Sequence, residues 1–95
     1  MRCKDDFHIY ELGSELGSEV QYLKFYRIRE DGVKIDGVTN EEVLEVLIHR
    51  LKGLNKKFPC EENDMAIKNL EGALVWLNLR TQDRIERRVE GTHVR

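Results

Sequence analysis

The chain has 95 residues, with 16 basic against 18 acidic side chains, a formal net charge of −2, 36% charged residues and only 7% aromatic ones. That balance excludes a general attraction to nucleic acid polymers or to anionic membranes. It also bounds the chain to one small domain, 1–95, with a thin core. His8, His49 and His93 lack metal-ligand spacing, and Cys3 and Cys60 stand far apart with no CxxC pattern. With neither zinc nor a disulfide expected, self-association is the remaining way to bury more surface.

The N-terminal MRCKDDFHIY has no apolar run of signal-peptide length, and no later segment reaches membrane-spanning length. A cytosolic location is therefore expected. Phe7 to Leu12 is a short apolar–polar stretch, and the echo GSELGSE that follows it marks a turn. Val20 to Glu30 reads as a strand, with Val20, Tyr22, Tyr26 and Ile28 on one face and Leu23 and Phe25 on the other. Apolar residues on both faces predict that this strand is covered on both sides. Glu30-Asp31-Gly32 is a hairpin signal, and Val33 to Val38 is the returning strand. Residues 1–38 thus form a β-rich part.

Thr39 and Glu42 have capping-box spacing at the start of a helical part, 39–95. Val43, Leu44, Leu47, Ile48, Leu51 and Leu54 recur at helical spacing, Gly53 is the expected stop, and LNKKFP the connection. Pro59 precedes a second helix whose first turn holds Glu61, Glu62 and Asp64, as the helix dipole favours. Met65, Ala66, Ile67, Leu70, Ala73, Leu74, Trp76 and Leu77 form its apolar stripe, and the pattern runs to about Glu90. The fold class is α+β: a small antiparallel sheet, then an antiparallel hairpin with a long second helix. That helix is about twice the length of the first, so Trp76 to Ile85 is expected to lack a partner within the chain.

Asn63 stands near the start of the long helix, Arg80 and Arg84 near its end. A helix start suits an anion, and two guanidiniums one turn apart suit phosphate oxygens. At 1.5 Å per residue the two features are roughly 25 Å apart, beyond the reach of one small ligand. A site using both ends must be shared by two antiparallel copies. Arg87 and Arg88, interleaved with Asp83 and Glu86, fit a salt-bridged helix end as well as a second nucleotide site. A competing pattern is Glu42-x-x-Glu45 followed by Glu61-x-x-Asp64, which resembles the Mg²⁺-holding carboxylates of all-α nucleotide pyrophosphohydrolases. In an antiparallel hairpin these pairs fall at opposite ends, roughly 16 Å apart along the axis.

The stretches DGVTNEEVLEVLIHRLKG, FPCEEN and ALVWLNLRTQDRIERRVEGTH resemble the helical-hairpin domain shared by two families of phage immune-evasion proteins. With strands ahead of the hairpin, the chain is most similar to the first Thoeris anti-defence family, the cyclic ADP-ribose sponges. The related family is the anti-CBASS sponge of cyclic di- and trinucleotides. The resemblance covers about two thirds of the chain. It implies a binding protein, not an enzyme, that needs no cofactor and sequesters a cyclic ADP-ribose isomer in the cytoplasm of the infected bacterial host. It also implies a homo-oligomer, a dimer at least and a hexamer in some members, where further pockets take cyclic trinucleotides. Pocket residues carried over by motif are Asn63 of CEEN, Arg80 of WLNLR and Arg84 of TQDR. A family aromatic in the connection falls at Leu54, aliphatic here, with Phe58 as the stacking alternative, and Glu61 stands where an arginine is frequent.

Overall fold

The computed structural model describes residues 1–13, 17 and 19–91, with side chains described to position 87. The chain divides into two compact units, Met1–Asn40 and Glu41–Arg95. In the first, β1 (Arg2–Asp5), β2 (Ile9–Gly13) and β3 (Val20–Lys24) form an antiparallel sheet in chain order. The turn expected over GSELGSE, which joins β2 to β3, lies largely outside the described residues. Tyr10 pairs with Leu23 across β2–β3, and its ring meets Phe25 edge-on at 5.9 Å. β1 escapes a reading by hydrophobic pattern because RCKD has no apolar alternation; it is an edge strand held by backbone pairing and by Lys4–Glu11 at 3.4 Å.

The β1–β2 connection, Asp6 to His8, is built on a tight turn with Asp6 and Phe7 at its centre. His8 N donates to Asp5 O at 2.6 Å, and Asp6 and Phe7 both have positive φ, 36° and 70°. Such turns suit right-twisted strands but call for glycine or asparagine at the central positions. Phe7 therefore belongs to the turn and not to the following strand. Its ring is exposed, so burial does not offset the steric cost of the left-handed backbone. Phe7→Gly is expected to raise the unfolding free energy by about 0.5–1 kcal/mol, read as a higher midpoint in urea.

The single strand expected over 20–30 is broken. After β3, Phe25 and Tyr26 turn away to meet Val38, and β4 (Arg27–Ile28) pairs with β5 (Lys34–Ile35). Gly37 makes the break possible. A Cβ built there would fall within 2.7 Å of backbone atoms of Lys24, Phe25 and Tyr26, while Val38 exchanges bonds with Lys24 and Tyr26 at 2.9 Å. The hairpin signal at Glu30-Asp31-Gly32 holds: Gly32 has φ 87° and donates to Arg29 O, and Val33 N donates to the Asp31 carboxylate at 3.1 Å. Burial on both faces of this segment does not hold. Leu23 and Phe25 are half-buried, whereas Val20, Tyr22, Tyr26 and Ile28 are exposed.

The second unit is a pair of antiparallel helices, α1 (Asn40–Lys57) and α2 (Glu61–Gly91). Three contacts fix the direction: Asn55 Nδ2 donates to Asp64 Oδ1 at 2.7 Å, Lys52 pairs with Glu71 at 2.8 Å, and Thr81 Oγ1 donates to Glu41 Oε2 at 3.1 Å. Ile48 and Ile67 are the buried residues between them, flanked by half-buried Leu44, Leu51, Leu70, Leu74 and Leu77. Two sequence expectations are corrected. α1 runs through Gly53 to Lys57, because one glycine costs a helix only about 1 kcal/mol and the next firm stop is Pro59. The connection is consequently short, closed by Asn55, whose carbonyl accepts from Cys60 N at 3.0 Å. The unpaired stretch of α2 also starts later, after Thr81 and not at Trp76, since the longer α1 reaches further along it.

Candidate functional site

Asn63 lies in the first turn of α2, half-buried, and its side chain has no hydrogen-bond partner among the described residues. That turn is closed without it, Asp64 N bonding Cys60 O at 3.2 Å and the Asp64 carboxylate taking Asn55. The amide is thus left with its donors and acceptor available. Cys60, just ahead of the helix, is exposed.

Arg80 and Arg84 are exposed, one turn apart on α2, and neither has an ion-pair partner among the described residues. Arg87 differs: it pairs with Asp83 at 3.2 Å, one turn back, as expected of a salt-bridged helix end. Arg88 lies in the helix, but its side chain is outside the described residues. Arg80 stands beside Thr81, level with the start of α1, whereas Arg84 lies on the portion of α2 that extends beyond α1. Two unpaired guanidiniums spaced by one helical turn can each direct several N–H donors at phosphate oxygens.

Leu54 proves to be a helical residue, not a loop residue. It lines an open groove of about 660 Å³ along α1 with Val46, His49, Arg50, Gly53 and Lys57, and is 41% exposed. Phe58 ends α1, its N–H bonding Leu54 O at 3.0 Å, and its ring is exposed. The hairpin therefore gathers Leu54, Phe58 and Asn63 at its closed end and Arg80 and Arg84 at its open end. The two groups stand at opposite ends of α2 and line neither of the grooves described here together. At the closed end a second hollow is lined by Lys52, Lys56 and Lys68 with Asp64 and Glu71. The only sequence signal for it was the one-turn spacing of Lys52 and Lys56, and Lys52 is already neutralised by Glu71. The acidic pairs of the pyrophosphohydrolase pattern also separate: Glu61 and Asp64 sit at the connection, and Glu42 and Glu45 begin α1. Among the described residues there is no group of three or more His, Cys, Asp or Glu side chains arranged to hold a metal ion. No helix there is long and apolar enough to cross a membrane.

Residues 19–82 match the family described as Acb2/Tad1, hairpin domain. The chain belongs to that family. The match spans β3 through the paired part of α2 and so contains Leu54, Phe58, Asn63 and Arg80, while Arg84, Arg87 and Arg88 lie beyond it. The family is thus carried by the hairpin frame. A curated relative, "Thoeris anti-defense 1" of Bacillus phage SBSphiJ7, is 52% identical over 59 residues, which is 61% of this chain and 42% of the relative. The chain thus aligns with less than half the length of that protein.

Proposed function

We propose that this protein is a phage anti-defence sponge that captures a cyclic ADP-ribose isomer without cleaving it, thereby blocking Thoeris signalling in the host cytoplasm. Cyclic di- and trinucleotides are its second ligand class. The observation that carries the reading is the unpaired Arg80–Arg84 pair on a hairpin of the Acb2/Tad1 family. Support also comes from the relative whose name assigns it to Thoeris anti-defence. Asn63 contributes the amide that reads a ribose or base edge, and Leu54 and Phe58 supply apolar surface for a base. Because Asn63 and Arg80 are roughly 25 Å apart along one helix, the site is assembled from the closed end of one hairpin and the open end of another. Twofold symmetry then gives two equivalent sites per dimer.

Two measurements test this. The protein is incubated with a cyclic ADP-ribose isomer and then denatured; a sponge returns the ligand intact. Cleaved nucleotide in catalytic amounts, dependent on Mg²⁺, would instead establish the pyrophosphohydrolase. Mixing Asn63→Ala with Arg84→Ala protomers in equal amounts is expected to restore about a quarter of the sites, since about half of the dimers are then heterodimers and one of the two sites in each is free of both substitutions. A mixture that binds no better than either variant alone rejects the shared site.

A further inference from the structure

Side chains three and four positions apart are the ones that meet on a helix surface. For Arg84 those positions on α2 are Arg80, Thr81, Arg87 and Arg88, and none carries a carboxylate. A carboxylate reaches this part of the hairpin from α1 instead. Glu41, half-buried in the first turn of α1, accepts at Oε2 from Thr81 Oγ1 at 3.1 Å. Thr81 stands one turn before Arg84, so their Cβ atoms are about 5–6 Å apart. An arginine side chain spans that gap. Even so, among the described residues Glu41 and Arg84 do not pair, and the carboxylate stays with the hydroxyl.

Carboxylate and phosphate oxygens compete for the same guanidinium N–H donors. A Glu41 side chain released from Thr81 would therefore find its nearest unpaired cation in Arg84 and occupy the donors that a ligand phosphate needs. Threonine is otherwise a poor choice at position 81. It is a weak helix former inside a helix, and here it is exposed and fills no core. What it contributes is the hydroxyl, a donor that holds a carboxylate without bringing a positive charge of its own.

We infer that Thr81 is a positioning residue for the arginine pair: by holding the Glu41 carboxylate, it keeps Arg84 open to a ligand phosphate. The inference deepens the sponge reading and rests on it for its functional meaning. Thr81 itself touches no ligand, and it acts through Glu41 on Arg84.

The test is a double-mutant cycle read by calorimetry with a cyclic ADP-ribose isomer. An exposed ion pair shifts an equilibrium by at most about fivefold. Thr81→Val, which keeps the shape and removes the donor, is accordingly expected to weaken binding by about three- to fivefold. Thr81→Ser, which keeps the hydroxyl, is expected to bind as the unmodified protein does. Glu41→Gln retains an acceptor for Thr81 and is expected to bind no less tightly than the unmodified protein. The decisive variant is Thr81→Val with Glu41→Gln, which still lacks the interhelix bond but no longer has a competing charge. It is expected to recover the lost affinity. If the bond serves only to hold the helices together, the double variant stays as weak as Thr81→Val, and that result overturns the inference. Unchanged affinity in Thr81→Val overturns it as well. A second readout needs no ligand: the NMR signal of the Arg84 Nε–H, identified by its loss in Arg84→Ala. It is expected to move in Thr81→Val and to return when Glu41→Gln is added. A signal that stays in place while the unmodified protein binds sinks this inference alone. A signal that moves in a protein that binds no cyclic nucleotide sinks the sponge reading alone.

Discussion

Arg80→Ala and Arg84→Ala are each expected to weaken binding of a cyclic ADP-ribose isomer at least about tenfold, and their combination to abolish it at micromolar protein. A charge-assisted hydrogen bond to phosphate contributes about 1.5–3 kcal/mol, and each 1.4 kcal/mol is a factor of ten. The fold should be indifferent to both changes. The two side chains are exposed and unpaired among the described residues, so no buried group loses a partner. Arg87→Ala supplies the contrast: it breaks only the exposed pair with Asp83, worth at most about 1 kcal/mol, and should leave affinity within about twofold. Calorimetry separates these outcomes. Unchanged affinity in both Arg80→Ala and Arg84→Ala would reject the clamp.

The second large effect lies in the other unit. Gly37→Ala is expected to destabilise the β-rich unit by about 3 kcal/mol or more, because the added carbon collides with backbone, which cannot rotate away as a side chain can. Amide exchange should locate the damage. Protection is lost at Tyr26 and Val38, whose N–H groups bridge the two segments, and is kept in the α1–α2 hairpin. Thermal unfolding indistinguishable from the unmodified chain would mean that the Gly37 approach is looser than described.

What could be read from the chain follows from which interactions are periodic. Both helices, the Glu30–Gly32 turn and the long reach of α2 were legible, since apolar spacing, a capping box and Pro59 are local signals. The end of α1 was not. Gly53 looks like a stop by propensity, yet the helix continues past it, and Asn55 bonds Asp64 of α2 and holds the last turn in place. The break after Lys24 was equally hidden. Val20 to Ile28 has an unbroken strand pattern, and only Gly37, more than ten residues away, admits the backbone that splits it. β1 carries no hydrophobic message at all. Among the site residues, the arginine spacing was readable because one turn is a local distance. The placement of Leu54 was not, because it depended on where α1 ended.

Among the described residues the last hydrogen bond between the helices is made by Thr81, and the family match ends at residue 82. The coincidence divides α2 into two mechanical parts. Up to Thr81, the side of α2 that carries Ile67 and Thr81 is tied to α1, so substitutions on that side act on the hairpin. Beyond it run ten helical residues, Gln82 to Gly91, in which Gln82 bonds Glu86 and Asp83 bonds Arg87 along the helix itself. Such an arm can exchange charge, length and tip chemistry without unfolding its mount.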